Sequence, residues 1–337
     1  MLRSTFSDLF GLTAPLMNAP MAGAAGGTLA AAVANAGALG MIGGSVSSAA
    51  VGTGDSPEVS LRREIQVARS LTSKPFGIGF ISTQRLPDGQ RSVEALQSAA
   101  LDEGMQIIMH SFIVDAKLIA EAIRRGARVI CQVQTLAMAR EALDAGASAL
   151  VAQGNDGGGH VGAIGSMSIV PAVVDVAESV PVIAAGGIAD GRGLAAAFML
   201  GAQGANIGTR FYASGEADVL PYIHERLVSA TTDDTVWTRS FDIVRNADFG
   251  PTVAGRVVKN AFTDAWHTRE SEARANAPQL AQQLQTAREA GDPTVASVWS
   301  SSAVGLIRDV EPAGAIVRDI CAEAERIMRS RVASLLL

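Results

Sequence analysis

"VPVIAAGG" (180–187) and "GANIGTRF" (204–211) are two short apolar runs that each lead into or contain glycine, and between them lies "IADGRGLAAAFMLGAQ" (188–203), rich in Ala and Leu. Runs of this length that are apolar on both faces suit strands covered by helices, and the stretch between them has helix-forming composition. The unit is strand then helix, and it recurs upstream. "PLMNAPM" (15–21), "ALGMIGG" (38–44), "FGIGFI" (76–81), "MQIIMH" (105–110), "RVICQV" (128–133) and "SALVAQG" (148–154) complete eight candidate strands, spaced at roughly 20 to 35 residues. The segments "DAKLIAEAIRRGA" (115–127) and "TLAMAREALDAGA" (135–147) have helical spacing and close on a Gly-Ala that reads as a helix stop.

Such an alternation favours a parallel sheet with right-handed crossovers, and eight units close most simply into an α/β fold of the (β/α)8 barrel type. An open doubly wound sheet is the alternative. It usually carries GxGxxG after its first strand, whereas "NAPMAGAAGG" (18–27) places Gly23, Gly26 and Gly27 in a different pattern. From about residue 215 the alternation stops. The sequence predicts a small, mainly helical inserted domain over 216–298, with the barrel formed by 1–215 and 299–337, whose amphipathic stretch "AVGLIRDVEPAGAIVRDICAEAERIMRS" (303–330) supplies the last barrel helix.

Composition narrows the function. With 33 acidic against 27 basic residues, a net charge of −6 and no basic block, nucleic acid is not an expected partner. Two cysteines far apart, Cys131 and Cys321, make neither a disulfide framework nor a metal cluster, and fit a reducing cytoplasm. No secretory leader and no membrane span is expected from the interrupted apolar positions of the N-terminus and the rest of the chain. A homodimer is compatible with the sequence, which does not itself set the oligomeric state.

In a (β/α)8 barrel the active site lies at the C-terminal ends of the strands, and the loops after strands seven and eight commonly bind phosphate. Gly186 and Gly187 end the seventh strand and Gly208 and Thr209 the eighth, offering backbone amides and a hydroxyl as donors. The sixth strand ends in "VAQGNDGGGHVG" (151–162), where Gln153 precedes three glycines and His160. Bare backbone there would admit a flat ring, and a histidine at the rim is a candidate acid or base. Gln132, Gln134 and His110 end neighbouring strands and are further polar candidates. Cys131, inside an apolar strand, reads as an inert core thiol, and His224 and His267 as non-catalytic. Phe80, Trp237 and Phe241 are equally candidates for pocket lining and for core. HExxH, CxxC, GxSxG and clustered carboxylates are absent from the sequence, which leaves redox or proton-transfer chemistry on a phosphate-bearing cofactor, with no metal expected.

Taken together, "NAPMAG" (18–23), "QGNDGGGHVG" (153–162), "PVIAAGGIADGRGLAAAFMLGAQGANIGTRF" (181–211) and "SAVGLIRDVEPAGAIV" (302–317) resemble the nitronate monooxygenase family. The resemblance runs over most of the chain and is weakest in the inserted segment. It implies a TIM barrel that binds FMN and uses molecular oxygen to oxidise a small-molecule nitronate or nitroalkane to a carbonyl product and nitrite. By the same resemblance His160 is the catalytic histidine. Pro20, Met21 and Ala22 contact the isoalloxazine, as do Gln153 and Gly158; Gln132 lies near the flavin; Gly187, Asn206, Gly208 and Thr209 cradle the phosphate, with Gly186 beside them. Relatives commonly read Glu-Ala-Gly-Gly-His where this chain has Asp156-Gly157-Gly158-Gly159-His160, and "FGIGF" (76–80) lacks the Asn that some carry. Two other readings stand beside this one: a flavin-dependent enoyl-acyl carrier protein reductase using NADH or NADPH, which shares the barrel and a glycine-histidine motif, and a non-catalytic FMN-binding barrel.

Overall fold

In the computed structural model, which describes residues 2–44, 55–83 and 92–336, each of the eight apolar runs contains a strand. In chain order the strands are β1 Leu16–Asn18, β2 Gly40–Gly43, β3 Phe76–Ile81, β4 Ile107–Ser111, β5 Arg128–Val133, β6 Ala149–Gln153, β7 Gly159–Val161, β8 Val182–Ala185, β9 Gly204–Ile207, β10 Thr235–Thr238 and β11 Ala254–Val258. Eight of them form one parallel sheet in the order β1-β9-β8-β6-β5-β4-β3-β2. A parallel bridge between Met17 and Leu39 brings β1 back against β2 and closes the barrel.

That seam is short, and a side chain extends it. The buried Asn18 amide donates from Nδ2 to the Met41 carbonyl at 2.8 Å, and its Oδ1 accepts from the Met41 N–H at 2.8 Å. The side chain thus does for Met41 what a neighbouring strand would do, because a buried backbone pair must find partners.

The sequence expectation for the helix ends holds. Gly126 and Gly146 take φ of +87° and +89°, and the following residues Ala127 and Ala147 donate back to Ala122 and Ala142. Glycine enters this left-handed region without a Cβ penalty, which lets the chain turn directly into the next strand. At the opposite helix ends Asp115, Thr135 and Asp190 accept from the first free amides.

Alternation along each strand divides the interior. Met17, Met41, Met109, Ile130, Val151 and Ile183 face inward and pack as one cluster with Phe6 and Phe10 of the N-terminal helix Thr5–Phe10. Ile42, Ile108, Val129, Leu150 and Val182 face outward and pack under the helices. Gly204 is needed at the floor, since a Cβ there would stand 2.8 Å from the Phe6 ring.

Beyond β9 the helices Pro221–Ser229, Ser240–Arg245, Ala261–Trp266, Glu270–Ala275 and Ala277–Ala290 alternate with an antiparallel pair, β10 and β11. The sequence reading passed over these two strands because "TVWT" and "AGRVV" are only four and five residues long and sit among polar stretches. β7, from the loop after β6, adds to β11 and completes a second, three-stranded sheet. The last helix, Ala313–Leu335, returns to the barrel wall beside Gly191–Met199 and Gly27–Asn35. Its Glu323 accepts from the Gly191 N–H at 2.8 Å. Among the described residues no helix is long and apolar enough to cross a membrane, and no cluster of His, Cys, Asp or Glu forms a metal site.

Two measurements follow. Asn18→Ala leaves the Met41 N–H and C=O without partners and should reduce the unfolding free energy by about 3 kcal/mol; a urea midpoint equal to that of the parent would mean the seam closes without the amide. Burial pushes the Cys131 thiol up to about 12 and that of Cys321 up to about 11, so at pH 8 a disulfide reagent should label neither in the folded protein and both after denaturation.

Candidate functional site

The inward faces of the strands change character toward their C-terminal ends. Ser111 follows Met109 by two residues, Gln132 follows Ile130 and Gln153 follows Val151, so each continues an inward-facing file. Asn206 pairs in register with Met17 on one side and Ala185 on the other, and both of these line the interior. A polar layer therefore lies on top of the apolar one.

Its members are linked. Gln132 and Gln134 each donate from Nε2 to Gln153 Oε1, at 2.8 and 2.6 Å, and Ser111 Oγ donates to Gln132 Oε1 at 3.4 Å. Gln134 Nε2 also donates to the His160 carbonyl at 3.2 Å. Gln132 and Gln134 are buried, and a buried amide is tolerated only when it is bonded in this way. The network carries the position of the barrel rim into the backbone of His160.

The loop between β6 and β7 is shaped by protein contacts. Asp156 accepts from the Ser166 N–H at 2.9 Å, holding the start of the helix Ser166–Ala177, and its carbonyl accepts from the Ser302 N–H at 3.0 Å. A Cβ on Gly158 would stand 2.6 Å from the backbone of Ser300 and Ser301, so that glycine admits a neighbouring chain segment on its Cβ side rather than a ligand ring. Gly159, at φ +69°, turns the chain into β7.

β7 then presents His160 opposite Gly255 of β11. The imidazole Nε2 lies 2.7 Å from Asp242 Oδ1. Phe249 stacks on the ring, with centroids 3.6 Å apart and planes at 16°; Phe112 meets it edge-on at 5.9 Å, and Trp299 lies tilted against it at 5.0 Å. Phe112, directly after β4, is held at φ +76°, a conformation that costs a non-glycine residue about 1–2 kcal/mol. Such strain often marks a functional site. No local pattern marks Asp242, Phe249, Phe112 or Trp299 as partners of His160, because they come from segments far apart in the chain.

On the opposite side of the mouth, Ala185 and Asn206 are in register, so Gly186 and Gly187 after β8 lie beside Gly208 and Thr209 after β9. Among the described residues the N–H groups of these four donate to no protein acceptor. Asn206 Oδ1 is buried and likewise has no partner there. The Thr209 hydroxyl accepts from the Ser301 N–H at 2.9 Å, which leaves its own proton to give. Nothing lies closer than 3.6 Å to a Cβ built on Gly208, and the nearest atoms are Ala19 Cβ and Met21 Sδ. Pro20, Met21 and Ala22 are half-buried at the end of β1.

The structure thus brings the expected residues of β1, β5, β6, β8 and β9 to one end of the barrel, with His160 on the sheet above it. It does not bring His110 there. That ring faces outward, its Nδ1 3.1 Å from Ser82 Oγ and its plane tilted against Phe80, which belongs to the helix-facing core. Cys131 lies in the same outer core. Phe241 is buried against Phe262, Trp237 is exposed on β10, His224 lies in the helix Pro221–Ser229 and His267 caps the end of the helix Ala261–Trp266.

Residues 3–323 match the family described as nitronate monooxygenase. The chain is 40% identical over 228 residues to the nitronate monooxygenase of Neurospora crassa, covering 64% of this chain and 59% of the fungal one. It is 35% identical over 243 residues to a (3aS,4S,5R,7aS)-5-hydroxy-7a-methyl-1-oxo-octahydro-1H-indene-4-carboxyl-CoA dehydrogenase of Mycobacterium tuberculosis, covering 72% and 64%. The match therefore spans less than two thirds of either relative. Among solved structures, FabK from Thermotoga maritima superposes with a TM-score of 0.85 at 33% identity, over 99% of this chain and 100% of that one. A nitroalkane oxidase from Streptomyces ansochromogenes does so with a TM-score of 0.80 at 27% identity, over 97% and 99%. With nearly the whole length matched, the chain belongs to the nitronate monooxygenase family.

Proposed function

We propose that the protein is a flavin-dependent oxidoreductase that binds FMN in the barrel mouth and oxidises alkyl nitronates, or nitroalkanes after loss of a proton, with molecular oxygen to a carbonyl compound and nitrite. The observation that carries this reading is the pairing of two features at one barrel end: unpartnered amides after β8 and β9 on one side, and a carboxylate-paired histidine on the other.

The residues present fit the cofactor. Four free N–H groups on adjacent strand ends and the Thr209 hydroxyl suit a phosphate, which binds to oriented backbone donors without net positive charge. The orphaned Asn206 Oδ1 and the half-buried Pro20, Met21 and Ala22 leave polar and apolar surface for the rest of the molecule. Gln153 gathers two amides on its Oε1, so its own Nε2 is available to a ligand; Gln132 is held by the same network, and Gly158 takes part through its main chain. When bound, FMN supplies the electron-accepting chemistry that no side chain has.

The chain's own part is to orient, to keep water out and to move a proton. The rings of Phe249, Phe112 and Trp299 surround His160 and restrict its rotation and its access to water. A nitroalkane must lose the proton from the carbon bearing the nitro group before it can be oxidised, and His160 is the base for that step; a preformed nitronate needs only its positive charge or hydrogen bond. The segment 216–298, which supplies Asp242 and Phe249, serves as lid and substrate domain over the barrel of 1–215 and 299–337.

A flavin-dependent enoyl reductase using NADH or NADPH is a second reading, favoured by the near full-length superposition on FabK. The visible spectrum separates the two. Under anaerobic conditions an alkyl nitronate should bleach the bound flavin, and admitting air should restore it with release of nitrite. Bleaching by NADH alone would transfer the assignment to the reductase, and a colourless protein that takes up no FMN would remove both.

Two substitutions extend the test. His160→Asn should retain FMN and lower kcat/KM for neutral nitroalkanes by roughly 100-fold or more, with a much smaller loss for preformed nitronates. Equal losses would exclude a base. Gly208→Val adds bulk beside Met21 at a backbone conformation open to any residue. It should raise the FMN dissociation constant at least about tenfold, or 1.4 kcal/mol, with little change in the unfolding midpoint of the cofactor-free protein; unaltered FMN affinity would place the phosphate elsewhere.

A further inference from the structure

Asp242 is a residue of the insert, 82 positions from His160 in sequence, yet its carboxylate is the hydrogen-bond partner of the imidazole. We propose that Asp242 is a positioning residue for His160, fixing the ring with Nε2–H toward the carboxylate so that Nδ1 is the nitrogen that takes the substrate proton. The proposal rests on the function proposed above and adds to it the group that sets which nitrogen acts.

Three observations support it. A carboxylate at neutral pH can only accept, so a 2.7 Å contact to Nε2 requires the proton on that nitrogen, and in the neutral ring Nδ1 then carries the lone pair. Both partners are mostly removed from water, with side-chain exposures of 15% for His160 and 10% for Asp242. Hydrogen bonds to a charged group are roughly twice as strong as neutral ones, and water competes poorly at such sites. The backbone at both ends is also anchored. Asp242 lies in the helix Ser240–Arg245, and its carbonyl accepts from the Ala247 N–H at 2.9 Å, while the His160 carbonyl is held by Gln134. A half-turn flip about χ2 would keep the ring in the plane stacked on Phe249 but lose the Nε2 contact, so the carboxylate is what distinguishes the two orientations.

Asp242 also lines a polar cavity of about 290 Å3 whose wall includes Arg239, Asp248 and Arg274. The cavity is lined by the helix that carries Asp242 and by the stretch that follows it. Other groups packed around His160 are aromatic or amide in character, so Asp242 is the one carboxylate among the described residues that bonds the ring.

The chain has four histidines, which makes the pairing accessible to nitrogen NMR on protein labelled at histidine. The FMN-loaded protein and its Asp242→Ala variant would be compared, with His160→Asn identifying the His160 signals. The parent should show His160 with the proton on Nε2, and the alanine variant a mixture of both tautomers. In parallel, kcat/KM for a neutral nitroalkane should fall roughly 10- to 100-fold, chiefly in kcat, while preformed nitronate is turned over within about threefold of the parent. An unchanged tautomer in Asp242→Ala overturns the proposal, as does equal loss with both substrates. If the alanine variant does not fold, Asp242→Asn, of the same size, is read by the same split between kcat and KM. Failure of every form to oxidise nitronate or nitroalkane would remove the proposed function, whereas the tautomer measurement would still decide whether Asp242 holds the ring.

Discussion

The pairing of β7 with β11 is the contact on which the rest of the site depends. Three residues, Gly159 to Val161, too few to form a sheet of their own, gain a partner strand from a segment nearly a hundred residues downstream. The loop that would otherwise be mobile becomes part of a ladder, and His160 acquires a defined backbone. Its side chain is then surrounded by groups that arrive with the insert, namely Asp242 and Phe249, and by Trp299 just after it. Arg256 of β11 reinforces the join by donating to the Asn155 carbonyl at 3.2 and 3.0 Å.

The barrel supplies what the insert cannot. Its interior is apolar at the floor, where Phe6 and Phe10 enter from the N-terminal helix, and polar at the rim, where Ser111, Gln132 and Gln153 follow the inward files. Burying the amides of Gln132 and Gln134 is costly unless each is bonded, and their convergence on Gln153 meets that requirement. Because the network ends on the His160 carbonyl, the barrel sheet and the loop of His160 share one set of hydrogen bonds. Changes in the barrel rim therefore reach the histidine through geometry rather than through charge.

The division between what sequence revealed and what it did not follows from range. Strand and helix periodicities are local, so the eight runs and the Gly-Ala helix stops at Gly126 and Gly146 were readable from composition alone. The placement of His160 was readable because it stands in a glycine-rich strand end, and that of Gly186, Gly187, Gly208 and Thr209 because adjacent strands end in them. The role of the glycines was only half legible. Gly158 is small because Ser300 and Ser301 pass over it, a contact between segments some 140 residues apart that no local pattern announces. The same holds for Asp242 and for β10 and β11, which are too short to declare themselves. His110 shows the converse error: a polar residue at a strand end looks inward or outward according to parity, and parity is set by register.

This architecture separates two requirements that are often in conflict. A base must be held in one orientation, yet a substrate pocket must be free to vary. Here the orientation of His160 is set by β7, by Gln134 and by Asp242, while the segments that carry Asp242 and Phe249 also form the polar cavity on the insert. A change in the insert that alters the pocket without moving the helix Ser240–Arg245 would leave the histidine where it is. A change that shifts this helix would disturb both at once, since the carboxylate lies on it, the stacked Phe249 follows four residues after its end, and both line the same cavity. The helix is thus the mechanical link between the cavity on this segment and the orientation of His160.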